Sequence, residues 1–273
     1  MSKTLLITGV TGFVGKQVLQ ILQTTDHHLR VVVRNPKSIE WPSGTTVVQS
    51  QDLFAESAQW WNQVAQNVDA VLHLAWYAEP GLYLRSPRNL SCLQGTLSMA
   101  QGCADAGVPR FVGVGTCFEY DTSFGYLSTK TPLNPTSPYA AAKAAAWLFL
   151  REYFQERQVS LAWCRLFNLY GAGEDSRRLI PYVHQQLSQG QVVELTAGTQ
   201  IRDYLDVREA AKQLVIHLLG SQEGAINICS GRGQSVRNIV ESIADQYDRH
   251  DLLRFGERSD NFTDPPIVVG IKD

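Results

Sequence analysis

The amino-terminal segment places a strand, a glycine-rich turn and a helix in immediate succession, and this order constrains the fold most strongly. An apolar run at residues 4–8 is followed by GVTGFVG at residues 9–15 and by a helical pattern over residues 13–22. Glycines let a backbone approach a pyrophosphate, and the helix that follows presents free N–H groups and a positive dipole end. The spacing is GxxGxxG rather than GxGxxG, and a plain strand-to-helix turn is the alternative interpretation. The residues predicted to bind a dinucleotide here are Gly9, Thr11, Gly12, Phe13 and Val14.

Strand-like and helix-like segments then alternate through the first two thirds of the chain. Further strands are predicted at residues 29–33, 45–48, 69–74, 111–115 and 160–167, and helices at residues 56–66, 86–106 and 138–158. The helix over 86–106 has Ser86 as its expected N-cap, Pro87 at its first position and Gly107 as its stop. The strands carry Val and Leu on both faces, which is typical of a parallel sheet covered on both sides. The alternation predicts an α/β fold with a doubly wound parallel sheet of the Rossmann type.

The character of the sequence changes after Gly171, where loops lengthen and strands become short. Short strands are predicted at residues 192–195, 204–207 and 225–228, and the tail over 254–273 is expected to be a loop. We therefore expect a small C-terminal substrate-binding lobe. The expected boundaries are 1–170 for the nucleotide-binding domain, with segments around 204–228 returning to it, and 171–203 with 229–273 for the lobe.

Composition excludes several classes of function. The 24 Lys and Arg against 26 Asp and Glu give a net charge of −2, so no polybasic surface for nucleic acid is expected. The longest apolar stretches fall short of the ~18–20 residues that span a bilayer, and MSKTLLITG reaches a glycine turn too early for a signal-peptide core. The 5 cysteines contain no CxxC pair. Free thiols in a reducing, cytoplasmic setting are expected, with no metal.

The residue that follows the second predicted strand bears on which cofactor is bound. Arg34 stands where an NAD-selective site normally holds an acid for the ribose hydroxyls. An arginine can hold a 2′-phosphate by a bidentate contact, so NADP(H) is favoured over NAD(H). Arg34 as a solvent-facing arginine is the alternative. Asp52 and Leu53 follow the third strand, where the acid could accept a bond from the adenine amino group or cap a helix.

A second group of residues has the composition of a catalytic site. Tyr139 and Lys143 are four residues apart in PYAAAK, which places them one above the other on a helix face. Thr116 ends the strand FVGVGT, at the carboxyl edge where α/β sheets bind ligands. A Tyr-xxx-Lys pair is common on helix surfaces, but its place after a glycine-rich turn and a strand-end hydroxyl favours a functional role.

These motifs together resemble the extended short-chain dehydrogenase/reductase family, in its nucleotide-sugar epimerase, dehydratase and ketoreductase branch. The matching segments are TGVTGFVG (8–15), HLAW (73–76), GTCFEY (115–120), SPYAAAK (137–143), RLFNLYG (165–171), IRDYLDV (201–207) and INICSG (226–231). The resemblance implies that Tyr139 is the acid/base, that Lys143 lowers its pKa and binds the nicotinamide ribose, and that Thr116 hydrogen-bonds the reacting oxygen. It also implies a cofactor cleft lined by Leu74, Ala75 and Phe167.

Two positions after the threonine separate the members of this branch. The 4,6-dehydratases carry an Asp-Glu pair there, whereas this chain has Cys117 and Phe118, which cannot transfer protons at C5 and C6. The run GTCFEYD resembles 4-ketoreductases, and Arg34 suits an enzyme that draws on NADPH. We expect reduction of the C4 keto group of a nucleotide-linked 4-keto-6-deoxy sugar, dTDP- or CDP-linked. A nucleotide-sugar epimerase with bound NAD, a reductase of another carbonyl, and a non-enzymatic NADP(H) sensor or scaffold are the alternatives.

Contacts to the substrate follow mainly from the resemblance. Beside Thr116, Cys117, Phe118 and Tyr139, the expected substrate-binding residues are Trp76, Asn168, Arg202 and Arg258. A structural ion pair, a cap or core packing is the alternative for each of these four. His73 is expected to be a core histidine, and Cys92 stands where the family usually has an asparagine. A homodimer through the helices over 86–106 and 138–158 is expected from the family.

Overall fold

Seven parallel strands form the central sheet of the protein, for which a computed structural model describes residues 2–259 and 264–272. In chain order they are β1 (Thr4–Thr8), β2 (His28–Val33), β3 (Thr46–Gln49), β4 (Ala70–His73), β5 (Arg110–Thr116), β7 (Ser160–Leu166) and β11 (Gly224–Ile228). Across the sheet the order is β11-β7-β5-β4-β1-β2-β3, and every pairing is parallel. The order reverses between β1 and β4, which is the switch point where such sheets bind ligands. The predicted doubly wound sheet is confirmed.

Helices cover both faces of this sheet. They are α1 (Phe13–Leu22), α2 (Ala58–Val64), α3 (Arg88–Asp105), α4 (Pro138–Glu156) and α6 (Val207–Leu219). On one face, Val18 of α1 and Leu214 of α6 pack into an aliphatic core. On the other face, Trp61, Met99 and Trp147 from the three remaining helices form a core with more aromatic rings. Burial of the strands on both sides explains their continuous apolar sequences.

The described residues form two smaller sheets in addition to the central one. Their strands are β6 (Tyr126–Leu127), β8 (Asn168–Tyr170), β9 (Val193–Leu195), β10 (Ile201–Asp206), β12 (Gly233–Ser235), β13 (Leu253–Phe255) and β14 (Ile267–Gly270). One sheet has the order β12-β10-β14-β6, with β8 also on β10, and the other pairs β13 with β9. The helices α5 (Leu179–Ser188) and α7 (Val236–Asp245) share a third apolar core with β9.

Three details of the sequence interpretation are wrong. The tail is not only loop, because β13 and β14 form there, the latter by pairing with β10 and β6. The strand expected at 204–207 spans Ile201–Asp206, and Asp206 caps α6 by accepting from the N–H of Arg208 at 2.8 Å. Helix α3 begins at Arg88 with Pro87 as its N-cap, so both positions are one residue later than expected.

The segment around 204–228 contributes α6 and β11, and β11 pairs with β7 in the central sheet. Among the described residues, no helix is long and apolar enough to cross a bilayer.

Candidate active site

Thr116, Tyr139 and Lys143 come together at the carboxyl end of β5. Thr116 is the last residue of β5, and Tyr139 and Lys143 lie in the first two turns of α4. Helix α4 begins there because the Ser137 hydroxyl accepts from the N–H of Ala140 at 3.2 Å, with Pro138 at the first position. The Thr116 hydroxyl hydrogen-bonds the Tyr139 phenol. The geometry thus joins a hydroxyl, a phenol and an ammonium at one edge of the sheet.

Aromatic rings enclose the Tyr139 side chain. The Tyr83 ring is edge-on at 4.8 Å between centroids, and the Trp76 ring is edge-on at 6.4 Å. Burial raises the pKa of Tyr139 above its usual range, Tyr83 adds to that, and the hydrogen bond with Thr116 opposes it. The phenol therefore holds its proton at neutral pH and is available as an acid.

Lys143 is 2% exposed and lies deeper in the same site. Its Nζ donates to the carbonyl of Val114 at 2.5 Å and sits 3.9 Å from the centroid of the Trp76 ring. Burial lowers the pKa of Lys143 to about 7, although the carboxylate of Glu119 acts in the opposite direction. An anionic group placed beside Lys143 would therefore raise its pKa and stabilise its ammonium form.

The glycine turn after β1 fits a pyrophosphate. Gly9 has φ +72°, and a Cβ there would lie 2.6 Å from the backbone nitrogen of Ala75. A Cβ on Gly15 would clash with the carbonyl of Gly9. The N-cap of α1 is Gly12, and no side chain caps this helix end. A cradle that only glycine permits, at an uncapped helix N-terminus, is the arrangement that binds dinucleotide phosphates. Thr11, Phe13 and Val14 are half-buried beside it.

The residues expected at the adenosine end lie on neighbouring strand ends. Arg34 is exposed immediately after β2, and its backbone carbonyl accepts from the side-chain amide of Gln49 at 3.1 Å. Asp52 is exposed, and its Oδ1 accepts from the N–H of Phe54 at 3.1 Å, which agrees with a local turn role. Leu53 is half-buried against the aromatic core. Leu74 and Ala75 follow β4, where Ala75 lies against the Gly9 turn.

The two residues that follow Thr116 lie in apolar surroundings. Cys117 is 2% exposed, and burial raises the pKa of its thiol to about 12. Phe118 is half-buried beside it. Phe167, which the resemblance places near the nicotinamide, is 5% exposed and packs with Cys117 and Val268. No group able to exchange a proton near neutral pH stands at the positions of the dehydratase acids.

The more distant substrate candidates already have protein partners. Arg202 pairs with Asp264 at 2.7 Å and also donates to the carbonyl of Ile201. The side-chain amide of Asn168 donates to the carbonyl of Asp203 at 3.3 Å. These contacts are the structural alternatives that the sequence left open, so binding of a diphosphate would require Arg202 to exchange its partner.

Arg258 lies farther along the chain, where its guanidinium donates to the Tyr182 hydroxyl at 2.9 Å and lies 4.9 Å from the ring centroid. Arg177 and Arg178, which are adjacent in the chain, were not singled out from the sequence. Arg178 lies 5.4 Å from the Tyr83 ring centroid, and Arg177 pairs with Glu79 at 2.7 Å. The sequence signal available for them was a pair of adjacent arginines shortly after YGAG at residues 170–173.

His73 is occupied within the core, as the sequence interpretation had it. Its Nδ1 is 2.8 Å from the Thr8 hydroxyl, and its Nε2 is 2.9 Å from the Thr96 hydroxyl. Burial lowers the pKa of His73 to about 3, so the ring is neutral. Across residues 2–259 and 264–272, no three His, Cys, Asp or Glu side chains are grouped so that they could hold a metal ion.

Sequence reasoning gave no role to Glu119, whose carboxylate acts on both Tyr139 and Lys143. Its Oε1 accepts from the backbone N–H of Thr116 at 2.8 Å, while the Thr116 hydroxyl accepts from the N–H of Phe118 at 3.3 Å. The two residues thus cap the 3₁₀ turn Cys117–Glu119 reciprocally. The available signal was the spacing Thr-x-x-Glu, which is that of a capping box.

Comparison with known proteins gives one family and a consistent fold. Residues 5–229 match the model of the NAD dependent epimerase/dehydratase family. The dTDP-6-deoxy-L-talose 4-dehydrogenase (NAD(+)) of Aggregatibacter actinomycetemcomitans is 27% identical over 248 residues, covering 88% of this chain and 88% of that protein. The UDP-glucose 4-epimerase of Streptomyces lividans is 27% identical over 274 residues, covering 89% and 80%. The solved UDP-N-acetylglucosamine 4-epimerase of Methanobrevibacter ruminantium M1, in complex with UDP-N-acetylmuramic acid, has a TM-score of 0.88 and 21% identity, covering 99% and 90%.

Proposed function

The chain belongs to the NAD dependent epimerase/dehydratase family, and from this premise we propose that it is an NADPH-dependent reductase of the C4 keto group in a nucleotide-linked 4-keto-6-deoxy sugar. One observation carries the proposal. The set Thr116, Tyr139 and Lys143 is assembled at the sheet edge, while the positions that would remove water from the sugar hold Cys117 and Phe118. Such a site can add or remove a proton at one sugar oxygen and has no acid pair for dehydration.

The proposed roles of the three residues follow from their surroundings. Tyr139 donates its proton to the C4 oxygen as that oxygen gains negative charge, since burial keeps the phenol protonated until then. Thr116, already hydrogen-bonded to the phenol, holds the same oxygen in line. Lys143 turns its ammonium toward the developing phenolate and the nicotinamide ribose. When bound, NADPH supplies the hydride.

The cofactor is proposed to lie along the glycine turn, with its pyrophosphate at the N-terminus of α1. Gly9 and Gly12 give the backbone its close approach, while Thr11, Phe13 and Val14 line the turn. Asp52 and Leu53 would meet the adenine, and Leu74, Ala75 and Phe167 would lie toward the nicotinamide.

Arg34 gives the first prediction, which concerns the choice of cofactor. Because its guanidinium is exposed beside β2, we expect NADPH to bind at least tenfold more tightly than NADH, which is about 1.4 kcal/mol. Arg34→Asp should reverse most of this preference, because it removes the bidentate partner of the 2′-phosphate and adds an acceptor for ribose hydroxyls. Titration of both cofactors by fluorescence measures the ratio.

A matched control for Arg34→Asp is Arg254→Asp, because Arg254 is also exposed and lies on β13 at the second small sheet. That variant should leave the cofactor ratio unchanged. Equal affinity of the wild-type protein for NADPH and NADH would contradict the assignment of Arg34.

The absence of the dehydratase acids gives the second prediction. Incubation of the protein with NAD⁺ and a nucleotide-linked glucose should yield no 4-keto-6-deoxy product, because the Cys117 thiol holds its proton with a pKa of about 12 and Phe118 has no proton to exchange. Mass spectrometry of the sugar nucleotide detects the loss of water. Appearance of the dehydrated product above a protein-free control would overturn the assignment to reduction.

The substrate is proposed to be a dTDP- or CDP-linked sugar that meets Trp76 at the sugar end. Asn168, Arg202 and Arg258 would contact the sugar phosphates once Arg202 leaves Asp264. We further propose a cytoplasmic homodimer that pairs through α3 and α4.

Epimerisation is the second candidate, since the same three residues can withdraw and return the proton of the C4 hydroxyl, while bound NAD would take up and return the hydride at C4. Similarity to a UDP-glucose 4-epimerase supports it. The two reactions differ in their net use of cofactor, because a reductase consumes one NADPH per sugar whereas an epimerase consumes none. Loss of NADPH absorbance with a 4-keto-6-deoxy nucleotide sugar supports reduction; interconversion of UDP-glucose and UDP-galactose without such loss supports epimerisation. Binding of NADP(H) with neither reaction would indicate the non-enzymatic alternative.

A further inference from the structure

A buried ion pair lies directly behind Thr116. The carboxylate of Glu119 is 0% exposed, and Arg165 donates to its Oε2 from Nε at 2.7 Å. Trp163 donates from its indole nitrogen to Oε1 at 3.0 Å. The third donor is the backbone N–H of Thr116, at 2.8 Å. Three donors from β5 and β7 therefore fix the carboxylate of Glu119.

The backbone of β5 is shaped to admit this carboxylate. A Cβ on Gly115 would clash with Glu119 Oε1 and with the Trp163 indole, and a Cβ on Gly113 would clash with the same indole. The strand therefore has no side chain at the two positions that face Glu119 and Trp163. The pair is also anchored on its far side, where Arg165 donates to the Tyr120 hydroxyl at 2.9 Å.

We propose that Glu119 is a positioning residue for the reaction, whose buried carboxylate fixes the main chain of Thr116 and places a negative charge behind the Thr116, Tyr139 and Lys143 set. The inference rests on the proposed function for its catalytic meaning. Glu119 itself touches neither substrate nor cofactor. It acts through Thr116, whose hydroxyl direction depends on the backbone at the end of β5.

The ion pair is poorly explained by stability alone. Two charges lose most of their hydration on burial, and replacing such a pair by apolar residues of similar volume is often neutral or stabilising. A chain that needed only a filled core at this place could use apolar side chains. Such a replacement would lose the hydrogen bond that the Thr116 N–H donates to the Glu119 carboxylate.

Charged and titratable groups reach the reacting residues from several elements. Tyr139 is faced by Tyr83 from the segment before α3 and by Cys117 and Glu119 from the turn after β5. Lys143 is faced by the same Glu119 and by Cys92 of α3. Glu119 is the anion among them, and its charge favours the protonated forms of both the phenol and the amine. Loss of that charge should therefore lower the pKa of both Tyr139 and Lys143.

The first test replaces the pair with apolar residues. Glu119→Val/Arg165→Leu should fold, because no buried charge is left without its partner. Its kcat should fall by about 10- to 100-fold because the Thr116 hydroxyl is no longer held in line, while KM and the cofactor Kd stay within about twofold of the wild type. Arg110→Met is the matched control, because Arg110 is also a buried arginine and lies at the other end of β5. It should change thermal stability and leave kcat unaltered.

The second test removes the charge and keeps the shape. In Glu119→Gln, the buried carboxylate that opposes the lowering of the Lys143 pKa is lost, so that pKa falls below about 7. The alkaline limb of the kcat profile, which reports loss of the Lys143 ammonium, then moves to lower pH. A purely structural role would lower kcat equally at every pH. An unmoved limb, or a double variant with wild-type kcat, would overturn the proposal.

Failure of the proposed function is separate from failure of this inference. A wild-type protein that epimerises and does not reduce would refute the reductase, and the same variant-to-wild-type ratios would then be measured in epimerisation. A crystal structure of Glu119→Val/Arg165→Leu provides a readout without activity. Retention of the Thr116 hydroxyl against Tyr139 in that structure would overturn the inference whatever the reaction is.

Discussion

The Tyr139→Phe variant is expected to reduce a 4-keto-6-deoxy nucleotide sugar ~10²–10⁴-fold more slowly than the wild type, which is the usual contribution of general acid catalysis. The phenol oxygen is the proton donor in the proposed reaction, and phenylalanine keeps the ring that packs edge-on against Tyr83 at 4.8 Å. The variant should therefore fold and bind NADPH as the wild type does. Stopped-flow measurement of NADPH oxidation gives the rate of the chemical step.

Tyr126→Phe is the matched control for this loss, because the Tyr126 side chain is 58% exposed on β6. It should retain the wild-type rate. A Tyr139→Phe variant that reduced the keto-sugar at nearly the wild-type rate would mean that the proton comes from another group. The catalytic assignment would then fail, while the fold and the family would be unaffected.

The parts of the fold that sequence predicted are those set by local patterns. The strand, turn and helix at the start of the chain follow from apolar periodicity and from glycines that a tight turn requires. The edge at which Thr116 meets α4 follows from the rule that parallel strands of such a sheet end at the same side. A helical spacing of four residues is enough to place Tyr139 above Lys143.

The parts that sequence did not predict depend on contacts between distant segments. Strand β14 pairs with β10 and β6, which lie far from it in the chain, and a short segment next to Pro265 and Pro266 gives little local sign of a strand. The Glu119 carboxylate meets Arg165 across 46 residues of sequence. Only its capping-box spacing to Thr116 was visible locally.

The edge-on contact of Tyr83 with Tyr139 is a further contact of this kind. Tyr83 lies in the irregular segment before α3, and the N–H of Tyr139 donates to the carbonyl of Leu84 at 3.1 Å. No periodicity marks such a residue, because its position is set by where the segment crosses the sheet edge. The candidate site is therefore predictable in its reacting groups and unpredictable in the residues that enclose them.

Lys143→Met should have opposite effects on catalysis and on stability. Loss of the ammonium removes a preorganised charge beside the developing phenolate, so we expect the rate to fall by ~10²–10³. NADPH binding should weaken as well, because Lys143 is also proposed to bind the ribose. Reduction kinetics and cofactor titration measure these two losses. Lys212→Met is the control, because Lys212 is exposed on α6 and pairs only with Glu209 at 2.6 Å among the described residues.

The stability of the ligand-free protein should instead rise in Lys143→Met. Burial lowers the pKa of Lys143 to about 7 in the folded protein, whereas an unfolded lysine has a pKa of ~10.4. The unfolded state therefore binds the proton more tightly, and folding carries its full cost below pH 7 and progressively less as the pH rises toward the unfolded value. Methionine has no such cost and fills a similar volume.

The difference in Tm between Lys143→Met and the wild type should accordingly be largest near pH 6–7 and shrink toward pH 9, with each kcal/mol worth ~2–4 °C in a chain of this size. Taking the difference between the two proteins cancels the buried cysteines and tyrosines, whose raised pKa values act in the opposite direction at high pH. A Tm that fell on substitution, or a difference independent of pH, would show that the bond from Nζ to Val114 and the contact with Trp76 outweigh the cost of burial. A gain in stability together with the loss of rate would indicate that a buried, partly deprotonated lysine is retained in this fold for its chemistry.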